Sequence, residues 1–340
     1  MPGYSENLDV FTDKPSVMER ECGDGVLNIN KPMGWTSHDV VAKIRGLLRG
    51  PKIGHAGTLD PAAIGVLPVL IGRGTRIAEY LLDWDKEYAA VLRLGETTDT
   101  QDATGAVLAT RSTEDLTKFD IQAAVDRFRG PLTQVPPMYS AVKVGGEPLY
   151  KAARAGRTVE REARQVMIHR LEVTAIAGRD VSLRVVCSKG TYVRTLCADI
   201  GSMLGVGGHL LALERRRVGP LTMASALTLE SLSHEWENGR LECSLMPLDQ
   251  ALSHLPSLVV DDFAAARVVH GMAVPWSAVD WGLCTDRRDL TEGTAVRLKD
   301  RAGRLLAIGR IPAGTDQSSP VARARLSAQS FSIVKMLAHV

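Results

Sequence analysis

Cysteine is scarce. Cys22, Cys187, Cys197, Cys243 and Cys284 are the five among 340 residues. Their number is odd, none shows Cys-x-x-Cys spacing, and a chain of this length can build a core without staples. A disulfide framework and a zinc ribbon are therefore both disfavoured. Long apolar runs are also missing. The best, Pro61 to Gly72, is broken by Pro61, Gly65, Pro68 and Gly72 and falls short of the ~18 residues a spanning helix needs. The N-terminal stretch lacks a basic-then-apolar leader pattern, so a soluble cytoplasmic protein without membrane association is expected. Nor is there a strong net charge: 41 basic residues face 39 acidic ones, a balance of +2. What is present is ordinary globular usage, 45% hydrophobic and 24% charged, with length for about two domains.

The neutral total hides an uneven distribution. Residues 1–25 hold two basic and six acidic side chains, and 1–24 read as a flexible acidic tail. Residues 131–170 hold seven basic and three acidic ones, among them Lys143, Lys151, Arg154 and Arg157, in a stretch rich in Pro and Gly. A basic run is commonly a solvated face. A long Pro/Gly-rich excursion is also a common place for function, and a basic one could grip phosphates. Arg215, Arg216 and Arg217 form a second basic run.

Local patterns outline the elements. Gly25 to Ile29 is a strand candidate, and Thr36 or Ser37 can cap a helix whose apolar positions run Val40, Val41, Ile44, Leu47 and Leu48 before Gly50. A glycine-rich loop, GHAGTLDPAAIG, follows. Tyr88 to Leu94 and Val181 to Cys187 alternate as strands, and Val193, Leu196, Cys197, Ile200, Met203 and Leu204 form the inward stripe of a helix. Residues 250–257 read as a linker to a small, mostly β domain with strands at Ala295–Leu298 and Leu305–Ile308.

Among chemistry-bearing residues Asp60 is the sharpest, a carboxylate between Leu59 and Pro61 in a loop that glycine lets approach other backbone closely. A lone Asp-Pro step is more often the start of an ordinary turn. Tyr192 and Arg194 open the helix near 191–204 and lie off its apolar stripe. The helix macrodipole favours anions at that end, so an arginine there suggests a paired anion, with a plain surface arginine as the alternative. Paired with Asp60, it would keep that carboxylate ionised and lower its pKa. His55 could be structural or could touch substrate. Asp99 and Asp102, in TDTQDATG, read first as turn residues, although Asp60 with Asp102 would also suit a glycoside hydrolase.

Taken together, GVLNINKPMGWTSHDVV, KIGHAGTLDPAAIGVLP, KEYAAVLRLGETTDTQDATG, FRGPLTQVPPMYSAVKVGGEPLYKAARAG and CSKGTYVRTLCADIG resemble, in order over about residues 25–220, the bacterial TruB-type tRNA pseudouridine synthases. Residues 250–311 are similar to the small PUA-like domain of such enzymes. The resemblance implies an α+β fold. A pseudouridine synthase-type catalytic domain (25–250) would hold a central antiparallel, mixed-order sheet flanked by helices, with an RNA-gripping insertion at 131–164. A β-rich PUA-like domain (251–315) and an extension (316–340) would follow. It also implies isomerisation of the T-loop uridine at tRNA position 55, with no cofactor. The expected partner is tRNA, through its T-arm and acceptor end, bound by a monomer that needs no protein partner.

By the same resemblance Asp60 is the catalytic aspartate, Tyr88 stacks on the target base, Tyr192 is a second active-site tyrosine and Arg194 pairs with Asp60. His55 would contact the opened T-loop and Leu213 would wall the pocket, while Lys31 lies near the site in the Asn-Lys-Pro motif. Ile64 departs from the small hydroxyl residue common in the family.

Overall fold

The computed structural model describes residues 22–140, 142–284, 290–311 and 330–338. Nearly all of the acidic tail, most of the region after 311, and the side chains of Lys143 and Arg154 lie outside that description.

In chain order the first half holds β1 (Gly25–Lys31), α1 (Ser37–Leu48), β2 (Ile53–His55), β3 (Ile64–Ile71), α2 (Ala78–Leu82), β4 (Lys86–Leu94), β5 (Glu96–Thr98), β6 (Val107–Thr110), α3 (Lys118–Asp126) and β7 (Gly130–Gln134). Then come β8 (Lys143–Val144), β9 (Glu147–Pro148), α4 (Leu149–Arg154), β10 (Arg164–Ala177), β11 (Asp180–Cys187), α5 (Val193–Met203), β12 (Gly208–Val218), β13 (Leu221–Thr222), α6 (Leu229–Glu237) and α7 (Leu248–Ala251). The last part holds β14 (Ser257–Val259), α8 (Asp262–Val269), β15 (Val274–Pro275), β16 (Ala295–Lys299), β17 (Leu305–Arg310) and β18 (Ser330–Met336).

The large sheet runs β1-β3-β12-β4-β11-β10-β7, with β2 beside β3 and β13 beside β12. Its pairs are antiparallel except β3 with β12, where Glu214 and Arg215 lie parallel to Ile64 and Gly65. Helix α1 starts where expected: Thr36 and Asp39 form a reciprocal capping box that satisfies two otherwise orphaned N–H groups. Strand β4 alternates strictly between buried and half-buried positions, which aims Tyr88, Ala90 and Leu92 inward.

β3 was hidden in the broken apolar run. Leu67, Val69 and Ile71 pack under α1 and α6, whereas Val66 and Leu70 pack with α2 and the second sheet. Both faces are covered, so the strand is apolar throughout and shows no alternation. Met203, expected to point inward on α5, is instead exposed.

The second sheet runs β14-β16-β17-β18-β15. Strand β18 pairs with both β17 and β15, so the expected boundary at 315 is too early and the domain reaches at least Met336. The expected linker is also packed structure. Ala251 and Leu252 are buried, and Ile308 and Leu337 join Val26, Leu70 and Trp84 in one apolar cluster. Asp249 binds Arg297 at 2.9 Å and Lys299 at 2.6 Å across the same seam. Each buried Leu or Ile in it contributes about 1.5–3 kcal/mol. The basic excursion is shorter than read, because 131–134 belong to β7 and 164 starts β10. Between them stand the β8–β9 hairpin and the short helix α4.

Candidate active site

Asp60 sits in the connection from β2 to β3. Five successive carbonyls of this connection are each engaged. Arg215 donates to Gly57 O (3.0 Å) and Thr58 O (3.3 Å). Ser37 Oγ donates to Leu59 O and accepts from Leu59 N–H. Asp60 O accepts from Ala63 N–H, and Pro61 O accepts from Gly34 N–H and Lys31 Nζ. The loop that carries the carboxylate is thus a fixed piece of the core, as a preorganised site requires.

Arg194 meets Asp60 side-on. Its Nε lies 2.9 Å from Oδ2 and its Nη2 lies 3.4 Å from Oδ1. The guanidinium also donates to Tyr139 O (2.8 Å) and Thr100 O (3.4 Å) and lies 3.8 Å from Asp102 Oδ2. Arg194 is buried, so the surface-arginine alternative fails; the carbonyls of two distant segments satisfy donors that a helix stripe would leave unpaired. Asp60 keeps 39% of its side chain exposed. Loss of hydration in the cleft raises its pKa; Arg194 and Lys31 pull it down and Asp102 pushes it up. Arg194 therefore acts in the expected direction, yet desolvation outweighs it and the net shift is upward.

Tyr88 on β4 shares one apolar cluster with Leu59 and Ala63, which flank the aspartate, and with Leu213 of β12, packed at its edge. Burial pushes the Tyr88 phenol up to about 12. Tyr192 is the N-cap of α5, one turn edge from Arg194, and its own side chain makes no capping bond. The backbone of Tyr192 is instead held by a side chain from another element. Buried Gln134, at the end of β7, accepts from Tyr192 N–H at 3.1 Å and donates to Tyr192 O at 3.4 Å.

His55 ends β2 with its ring edge-on to His38, centroids 5.4 Å apart. Burial, then the nearby His38 and Arg215, lower its pKa to about 4, and its buried Nδ1 has no partner among the described residues. It is a neutral ring at physiological pH.

Lys31 requires a correction. Placed near the site by its motif and counted among the substrate-binding candidates, it is fully buried and donates to Pro32 O, Trp35 O and Pro61 O, which exhausts its three donors. It tethers the Asp60 loop and has no face to offer a phosphate; burial lowers its pKa to about 8. In the excursion, Lys151 is exposed, and Arg157 is exposed but paired with Glu147 at 2.9 Å. Ser37, Gln134, Asp102 and Arg215 are the participants the sequence reading missed or left as turn and surface residues. For Ser37 a signal existed, its place beside the cap of a helix that follows the Asn-Lys-Pro motif.

The geometry can hold an ionised carboxylate against a buried cation, beside an aromatic and aliphatic wall. Two family models match the chain: the N-terminal domain of TruB family pseudouridylate synthase over residues 45–193, and the tRNA pseudouridylate synthase B C-terminal domain over 194–253. A tRNA pseudouridine synthase B of Burkholderia mallei is 45% identical over 297 residues, 87% of this chain and 96% of that protein. One from Pseudomonas putida is 44% identical over 290 residues, 84% of this chain and 91% of that protein. Among solved structures, a Cbf5-Nop10-Gar1 complex matches with a TM-score of 0.69 and 31% identity, covering 93% of this chain and 84% of that one. An H/ACA RNP bound to a substrate RNA containing 2'-deoxyuridine matches at 0.67 and 28%, covering 93% and 85%. The chain belongs to the TruB family of pseudouridylate synthases, which isomerise uridine to pseudouridine.

Proposed function

We propose that the substrate is tRNA, that the target is the T-loop uridine at position 55, and that Asp60 is the catalytic carboxylate. The observation that carries this reading is the side-on contact of buried Arg194 with Asp60 at 2.9 Å, beside the cluster holding Tyr88 and Leu213. Isomerisation breaks N1–C1′ and forms C5–C1′; the proton lost from C5 balances the one gained at N1. Positive charge develops at C1′ as the first bond breaks. An ionised Asp60 can stabilise that charge or bond to the carbon, as carboxylates do in glycoside cleavage. Arg194 opposes the desolvation that favours the protonated acid, and it aims the carboxylate.

The target base must leave its stack, at a cost of a few kcal/mol. Tyr88 and Leu213 offer the surface against which a flipped uracil rotates while water is excluded. Neutral His55 suits stacking on a base of the opened loop better than a charged ring would. Tyr192, two residues before Arg194 at the start of the same helix, would relay the C5 proton. The excursion at 135–163, rooted at Tyr139 beside Arg194, would close on the T-arm, and the PUA-like second domain would take the acceptor end.

The test is incubation with unmodified tRNA transcript followed by carbodiimide mapping. A stop at position 55 is expected with the wild type and none with Asp60→Ala. Product elsewhere, or persistence in the variant, overturns the assignment.

A further inference from the structure

Arg215 stands in a run of three arginines, yet it is among the largest fully buried side chains, 2% exposed. Arg216 beside it is exposed, pushed out where the β12–β4 register slips between 215 and 217, and Arg217 reaches Glu87. The buried member therefore differs in kind from its neighbours. Its three bonds all end on carbonyl oxygens: Nε to Val66 O at 2.7 Å, Nη2 to Gly57 O at 3.0 Å and Nη1 to Thr58 O at 3.3 Å. Burying a cation with no carboxylate to pair it is costly, and an apolar residue would serve packing more cheaply. The fork must therefore do something that packing does not.

Its place in the sheet shows what. Strand β12 lies between β3 and β4, and Arg215 is in register with Gly65 on one side and Tyr88 on the other. One residue thus spans the strand bearing Tyr88, the strand leaving the Asp60 loop, and the loop itself two and three residues before Asp60. The glycines of the loop fit the same contact. A Cβ on Gly65 would lie 2.3 Å from Arg215 O, at a φ of +110° that only glycine tolerates well. Gly57, at φ +95°, brings its backbone to the guanidinium. The guanidinium also faces the Tyr88 hydroxyl.

We propose that Arg215 is a positioning residue that fixes the Asp60 loop relative to the Tyr88 strand, so that carboxylate and ring address the same nucleotide. It touches no reacting atom in this assignment. The inference rests on the functional reading above, and it makes a prediction that a packing role does not. An ammonium cannot reproduce a planar fork with three diverging donors. In Arg215→Lys the loop keeps its buried charge and loses its reference to β4. Misplacement on the scale of 1 Å can cost about 100-fold in rate.

The experiment measures single-turnover pseudouridine formation and tRNA binding on Arg215→Lys and Arg215→Gln, well below each variant's melting temperature. The expected result is a rate loss of about 100-fold with Kd within about threefold of wild type, equal in kind for both variants although their melting temperatures differ. A wild-type rate in either folded variant overturns the proposal, as does a loss that appears in Kd and rate together. Failure of both variants to fold also overturns it, because Arg215 would then belong to the scaffold. If the wild type itself makes no product on tRNA, the functional reading fails instead, and that control separates the two.

Discussion

The loop at 57–61 and the excursion at 135–163 flank the same arginine and are built in opposite ways. In the loop every carbonyl has a donor, and these come from β1, α1, β12 and the loop's own next turn. Among the described residues of the excursion few side chains are buried, Leu149 and Ala152 among them, and an ion pair, Arg157 with Glu147, is exposed on both sides. Exposed pairs contribute at most about 1 kcal/mol. Under the function proposed above, the contrast would separate two tasks. Chemistry on a carboxylate needs a fixed aim, whereas closing on a large nucleic acid needs a segment whose local stability is low enough to rearrange. Arg194 joins them, because one guanidinium binds both Asp60 and Tyr139 O.

This division can be broken by design. The largest effect is expected from Asp60→Asn, a rate loss on the order of 10,000-fold with tRNA affinity retained, read by single-turnover assay and filter binding. Arg194→Lys should cost about 100–1,000-fold in rate and again little in affinity, since one ammonium nitrogen cannot reach Asp60, Tyr139 O and Thr100 O, which the guanidinium meets from three separate nitrogens. Ser37→Ala removes the partner of both Leu59 main-chain groups and should cost about 1–3 kcal/mol in denaturant unfolding, with slower turnover. Replacing 143–158 by a short Gly/Ser turn should do the reverse of the Asp60 change. Affinity should drop about tenfold and the salt slope flatten by about one per lost phosphate contact, while the rate at saturating RNA changes least. An unchanged slope removes the gripping role.

The smallest effect is a pH dependence. Unfolded His55 takes a proton below about pH 6.5, and folded His55 only below about 4. Between those values the unfolded chain binds more protons, so stability falls as the pH drops. His55→Gln should therefore lose less melting temperature than wild type between about pH 7 and about pH 5. Equal losses would place the ring in a more hydrated setting.

How far the sequence spoke depended on whether the determining contacts were local. The helix cap at Thr36 and the alternation of β4 and β11 are written within a few residues, and each formed as read; the reciprocal partner Asp39 lies only three residues on. The motifs around Asp60, Tyr88 and Arg194 were legible as a set, and the fold brings them together. Arg215 was not, because its partners lie about 150 residues earlier and a buried arginine looks like a surface one in a basic run. β12 was obscured by two register slips, and β3 by Gly65 and Pro68 in a strand covered on both faces. β18 pairs with strands far upstream, and nothing near Ser330 announces the sheet edge it completes.

The apolar seam holding Ile308 and Leu337 against Val26, Leu70 and Trp84 has a practical corollary. A polypeptide cut after 250 would leave the flank of the large sheet bare and sticky, so the halves are poor candidates for separate expression. A ligand reaching both sheets would find a caliper with a set gap rather than a pair of jaws.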